Sequence, residues 1–135
     1  MANLLGPIVL VDDDEDDRYI FQEGFCKAGC SNRFKQYEDG KQFLEYLTNA
    51  PLEELPSLIL LDLNMPIVDG REVLRIIKTN PKWVKIPVVV FTTSKLDTDR
   101  QKAYDLGANC FVSKPSIYSE VLEITRSIAL LWCGK

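Results

Sequence analysis

Short, wholly apolar runs that each empty into charged or hydroxyl residues constrain this chain more than any other feature. Ile8–Val11 runs into Asp12 and Asp13, Leu58–Leu61 into Asp62, and Val88–Phe91 into Thr92, Thr93 and Ser94. Such runs are too short for a stable buried helix and suit central strands covered on both faces. Two weaker strands complete the set: Arg33–Tyr37, which alternates as an edge strand does, and the segment NCFVSKPS, which ends in Lys114-Pro115. Between them lie stretches with helical spacing. The first begins near Asp14, shows Ile20, Phe21, Gly24, Phe25 and Ala28 on one face, and stops at Gly29. The second follows Asp39-Gly40 with Phe43, Leu44 and Leu47 on one side, and Asn49–Pro56 reads as a loop. The third covers Arg71–Asn80 and ends at Pro81, the fourth Asp97–Leu106, and the fifth Ser116–Trp132 with a stripe of Ile117, Val121, Ile124, Ile128 and Leu131. Five repeats of strand then helix predict a parallel sheet with helices on both faces.

In such a sheet, the carboxyl ends of the strands form the edge where ligands bind. That edge receives Asp12, Asp13, Asp62, Thr92 and Lys114. Part of the acidic run Asp12–Asp17 has a local explanation, because Glu15, Asp16 and Asp17 fall in the first turn of a helix, where the dipole favours carboxylates. Asp12 and Asp13 have no such explanation. Three carboxylates in one crevice call for a cation, and a hard divalent ion such as Mg²⁺ is bound by one or two carboxylates plus phosphate oxygens. Phosphoryl transfer needs an in-line nucleophile and positive charge on the equatorial oxygens. Asp62 can be the nucleophile, Mg²⁺ and Lys114 the charges, and the Thr92 hydroxyl a donor.

These strand ends, together with VDD at Val11–Asp13, LDLNMP around Asp62, DG at Asp69-Gly70, FTTS around Thr92 and GANCFVSKP ending at Lys114-Pro115, make the chain resemble the receiver domains of two-component response regulators. The resemblance implies an α/β flavodoxin-like (CheY-like) (βα)5 fold, doubly wound, with strand order 2-1-3-4-5. It implies that Asp62 is the phosphoacceptor, that Asp12, Asp13, Asp62 and the backbone carbonyl of Asn64 surround Mg²⁺, and that Lys114 contacts the phosphoryl oxygens. It further implies Thr92 and Phe111 as the switch pair, a cis Lys114-Pro115 peptide, and a signal read out as a conformational change of the face formed by helix 4, strand 5 and helix 5. The stretches FLEYL, LILLDLNMP, DGREVL and IPVVVFTTS, with the late Trp132, resemble the stand-alone regulators of bacterial and cyanobacterial phytochrome kinases. Two positions depart from the family pattern. Thr93 stands where a very small residue is usual, and Phe111 stands where a tyrosine is common, so that its ring lacks a hydroxyl.

The expected reading is one receiver domain over residues 1–135, with no output domain and no turnover substrate. A sensor histidine kinase must supply the phosphoryl group, since the chain contains no histidine. A net charge of −4 argues against nucleic acid as a partner. The absence of a long apolar run argues against a membrane span and for a cytoplasmic location. Cys26, Cys30, Cys110 and Cys133 form no metal-binding pair and are expected to be reduced, buried hydrophobes. Leu130, Leu131 and Trp132 give helix 5 more apolar surface than one sheet face needs, which predicts a homodimer through helix 4, strand 5 and helix 5. The alternative on the same residues is a Mg²⁺-dependent phosphohydrolase with an aspartyl-phosphate intermediate. Such enzymes usually carry an acid/base Asp two residues after the nucleophile, and here that place is Asn64. A flavin or nucleotide binder would need a Gly-rich loop after the first strand, where this chain has acids.

Overall fold

A computed structural model describes residues 6–132 of the chain. Five strands, β1 (Ile8–Val11), β2 (Phe34–Tyr37), β3 (Leu58–Leu61), β4 (Val88–Thr92) and β5 (Cys110–Ser113), form one parallel sheet in the order β2-β1-β3-β4-β5. They alternate with α1 (Glu15–Lys27), α2 (Gly40–Asn49), α3 (Gly70–Thr79), α4 (Asp97–Asp105) and α5 (Tyr118–Trp132). The expected order and alternation are therefore observed. The loop before β3 contains one short 3-10 turn, Leu52–Glu54.

Side-chain alternation along the strands divides the core in two. Val9, Val11, Ile59, Leu61, Val88 and Val90 face one side, where α2 and α3 supply Phe43, Leu47, Val73, Leu74 and Ile77. Ile8, Leu10, Leu58, Leu60, Val89 and Phe91 face the other, against Phe21 and Phe25 of α1 and Ile128 and Ala129 of α5. Phe21 and Phe91 meet edge to face at 4.5 Å. Each fully buried Leu, Val, Ile or Phe contributes roughly 1.5–3 kcal/mol of transfer free energy, so β1, β3 and β4 anchor the fold.

The starts of α1, α2 and α3 follow from short acidic caps. Asp14 accepts from the backbone N–H groups of Asp16 and Asp17, Asp39 from that of Gln42, and Asp69 from that of Arg71. Helix α5 differs from its expected form. It starts at Tyr118 rather than Ser116, leaving Ile117 exposed, and its inner face is Val121, Thr125, Ile128 and Ala129. Leu131 is 78% exposed, because it lies about 100° around the helix from the middle of that face, while the Trp132 ring packs on the α1/α5 core. The cysteines also depart from expectation. Cys26 is exposed because it follows Phe25 by one helical step of about 100°, and Cys110 is half-buried. Cys30 is disulfide-bonded rather than reduced. Cys133 lies outside the described residues.

At Gly70 the first turn of α3 approaches the strand it follows. A Cβ there would lie 2.1 Å from the Asp62 carbonyl oxygen and 2.6 Å from Leu63 Cα, both backbone atoms that cannot move aside. Gly70→Ala should lower stability by about 1–3 kcal/mol or more, read as a reduced urea midpoint with unchanged slope. A wild-type midpoint would show that this approach is not required.

Candidate functional site

Each site residue stands on the last rung of the hydrogen-bond ladder. The Asp12 N–H donates to Tyr37 O at 3.0 Å, the Asp62 N–H to Val11 O at 3.0 Å, and the Lys114 N–H to Thr92 O at 2.7 Å. Thr92 is itself paired with Ser113. The strands thus fix Asp12, Asp62, Thr92 and Lys114 together at one edge, and all four side chains are buried while Asp13 is exposed. The Lys114 Nζ lies 2.6 Å from Asp12 Oδ2, 2.8 Å from Asp17 Oδ2 and 3.5 Å from Asp62 Oδ2.

Burial is the largest influence on all three charged groups. It pushes the Asp12 carboxyl up to about 6 despite the opposing pull of Lys114. It also raises Asp62, with Lys114, the Asn64 N–H and the Thr92 hydroxyl partly offsetting it. For Lys114, desolvation would lower the value, but Asp12 and Asp62 together outweigh it and hold the ammonium above the ordinary lysine range. The site is therefore an excess of carboxylates around one fixed positive charge.

One oxygen from each of Asp12, Asp13 and Asp62 lies within 4.8 Å of the others, the cluster able to hold a metal ion among the described residues. The donors are all carboxylate oxygens, which suits a hard divalent cation and not a soft one. The Asn64 N–H donates to Asp62 Oδ1 at 3.3 Å, and its side-chain amide donates to Thr92 Oγ1 at 3.3 Å. Thr93 is exposed. Phe111 is already turned inward, 6% exposed, with the Arg100 guanidinium 5.4 Å from its ring centroid.

One expectation at this edge is corrected. No cis peptide occurs among the described residues, and Lys114-Pro115 is trans. The trans form is intrinsically favoured by about 0.5–1 kcal/mol before proline, and in it Lys114 reaches Asp12 and Asp17 while its N–H closes the ladder to Thr92.

The fold also gathers residues that were not singled out from the sequence. Asp17 pairs with Lys114, although its place in the first turn of α1 already had a sufficient explanation in the helix dipole. Ser94 donates through its hydroxyl to Asp99 at 2.5 Å, Asp99 pairs with Arg71 at 3.2 Å, and Arg71 returns to Asp69 at 3.2 Å. This polar chain links the loop after Thr92 to the starts of α3 and α4. The Asp17–Lys114 and Arg71–Asp99 pairs join residues distant in sequence and leave no local pattern to read.

The response regulator receiver domain family matches residues 8–126. Response regulator Rcp1 of Synechocystis sp. is 36% identical over 131 residues, covering 93% of this chain and 87% of Rcp1. The crystal structure of its Mn²⁺-bound form superposes with a TM-score of 0.88, covering 95% of this chain and 94% of that one. The phosphorylated cyanobacterial phytochrome response regulator RcpA gives a TM-score of 0.88 at 36% identity, covering 94% of this chain and 93% of that one. A probable methanogenesis regulatory protein, FilR2 of Methanothrix harundinacea, is 36% identical over 129 residues, covering 94% of this chain and 83% of FilR2.

The Lys114 ammonium compensates Asp12, which is 1% exposed. Lys114→Met keeps most of the aliphatic stem and removes the charge. It should cost about 3 kcal/mol of stability at neutral pH without divalent cations, as breaking a buried pair does, and added divalent cation should recover part of the loss. Urea denaturation measures both, and an unchanged midpoint would mean that Lys114 does not balance these acids.

Proposed function

The chain belongs to the response regulator receiver domain family, and from that premise we propose that it is a phosphorylation-dependent switch, acting in the cytoplasm, whose Asp62 accepts a phosphoryl group from a sensor histidine kinase of the phytochrome type. The observation that carries this reading is the position of Asp62 at the end of β3. It shares one carboxylate cluster with Asp12 and Asp13 and lies 3.5 Å from the Lys114 ammonium. The phosphorylated state of RcpA, itself a phytochrome response regulator, supports it.

In the transfer an Asp62 carboxylate oxygen forms the bond to phosphorus as the bond to the donor nitrogen of a kinase phosphohistidine breaks. Burial raises the proton affinity of Asp62, which strengthens the carboxylate as a nucleophile, while the neighbouring ammonium favours its ionised form. Lys114 and the Thr92 hydroxyl face the developing charge on the transferred oxygens. Asp12, Asp13, Asp62 and the Asn64 carbonyl would hold Mg²⁺, which when bound supplies further positive charge to those oxygens and offsets the carboxylate repulsion. Thr92 and Phe111 form the switch, and the signal leaves through the face made by α4, β5 and α5. Turnover of phosphate esters is the less favoured reading. At Asn64, where a phosphohydrolase places a carboxylic acid, this chain has an amide bonded to Thr92.

Incubation with acetyl phosphate and Mg²⁺, followed by intact mass, tests the assignment. The wild type should gain one phosphoryl group; Asp62→Asn should gain none, and a chelator should suppress the gain. No gain in the wild type, or the same gain in Asp62→Asn, overturns it.

We further propose that a second copy docks on the α4, β5 and α5 face. Leu130 and Leu131, 70% and 78% exposed near the end of α5, support this, since two adjacent leucines outside the core favour burial. Sedimentation velocity at micromolar concentration should give a dimer, and Leu131→Glu should shift it towards monomer. A monomeric wild type would refute this contact.

A further inference from the structure

The acceptors around Lys114 outnumber what the proposed reaction requires of it. An ammonium has three N–H donors. Two of them are directed at Asp12 and Asp17, at 2.6 and 2.8 Å, so that Lys114 sits closer to these acids than to Asp62 at 3.5 Å. A phosphoryl group on Asp62 brings strong acceptor oxygens to the far side of the ammonium. One N–H remains for them, and Lys114 can offer a second only by leaving one of its present partners.

The two partners are unequal. The Asp12 side chain is 1% exposed, so a carboxylate abandoned there would have no solvent and only a bound cation to compensate it. The Asp17 side chain is 23% exposed and stands in the first turn of α1, where water and the helix dipole can receive its charge. Asp17 is also not a member of the Asp12, Asp13, Asp62 cluster. We propose that Asp17 is a positioning residue that competes with the incoming phosphoryl group for the Lys114 ammonium and so sets how readily Asp62 is modified. Releasing Asp17 also frees the start of α1 from the end of β5, an ion pair 97 residues apart in sequence. This inference rests on Asp62 being the phosphoacceptor.

The competition predicts a gain where loss of a purely structural ion pair predicts none. With acetyl phosphate as donor and saturating Mg²⁺, Asp17→Asn should take up the phosphoryl group about threefold to tenfold faster than the wild type, the lowered barrier being the free energy of leaving Asp17. Its half-saturating Mg²⁺ concentration should be unchanged, and its thermal midpoint should fall. Asp16→Asn is the control. It removes the same charge from the same helix turn, at an exposed side chain with no contact to Lys114, and should stay within about twofold of the wild type. An Asp17→Asn rate no higher than that of Asp16→Asn, or below the wild-type rate, overturns the proposal. If circular dichroism shows Asp17→Asn to be unfolded, Asp17→Ser carries the same comparison. A wild type that gains no mass instead refutes the assignment of Asp62, a failure distinct from equal rates in proteins that are all modified.

Discussion

The carboxyl edge of this sheet depends on one ammonium. Asp12 and Asp62 are buried beside each other, and either charge alone would be costly in that environment without a compensating partner. Lys114 supplies it by crossing from the end of β5, two strands away from β3. Burial works on both signs of charge at once: it favours neutral acids and a neutral amine, and only their mutual attraction keeps the set ionised. A site balanced in this way is responsive. A charged ligand at this edge would meet a set of ions whose balance rests on Lys114.

The scaffold beneath is correspondingly rigid. β1, β3 and β4 are buried on both faces, and their alternate side chains divide between the two cores without exception among the residues of those cores. A slip of one residue in any of these strands would exchange the two faces and withdraw the carboxylate or hydroxyl from the edge. The apolar runs therefore do two tasks together: they fix the register, and through the register they place the site.

This coupling explains what was legible in the sequence. Runs of four apolar residues ending in Asp12, Asp62 or Thr92 specify both a strand and the residue it delivers, so β1, β3, β4 and the site they carry could be read directly. The starts of α1, α2 and α3 were readable for a similar reason, since Asp14, Asp39 and Asp69 act within three residues of themselves. What could not be read depends on tertiary approach. Asp17 had a complete local explanation that concealed its partner. The left-handed residue of the loop after β3 is Ile67, at φ 68°, where propensity would favour glycine or asparagine, so the path of that loop is set by its surroundings. The inner face of α5 uses Thr125 and Ala129 because the helix packs closely on Gly24 of α1, where a Cβ would come within 2.5 Å of Thr125 Cγ2. Small residues admit that approach, and a hydrophobic stripe does not reveal it.

The same division between rigid strands and adjustable polar contacts locates where the molecule can move. Helix α4 has one buried residue, Ala103, and no side-chain cap at its start. Its remaining attachments are polar. The Tyr104 hydroxyl accepts the Phe111 N–H at 3.0 Å, the Arg100 guanidinium lies over the Phe111 ring, and Asp99 receives both Ser94 and Arg71. Ser94 in turn donates its N–H to Thr92 Oγ1 at 3.4 Å. Every one of these attachments leads to Thr92, to Phe111 or to the start of α3. A helix held by its core would resist a small shift at the site, because packed interiors give way only in discrete steps. A helix held by hydrogen bonds of about 0.5–1.5 kcal/mol each can exchange them one for another. Thr92, Ser94 and Asp99 thus form one chain of exchangeable hydrogen bonds that ends on α4.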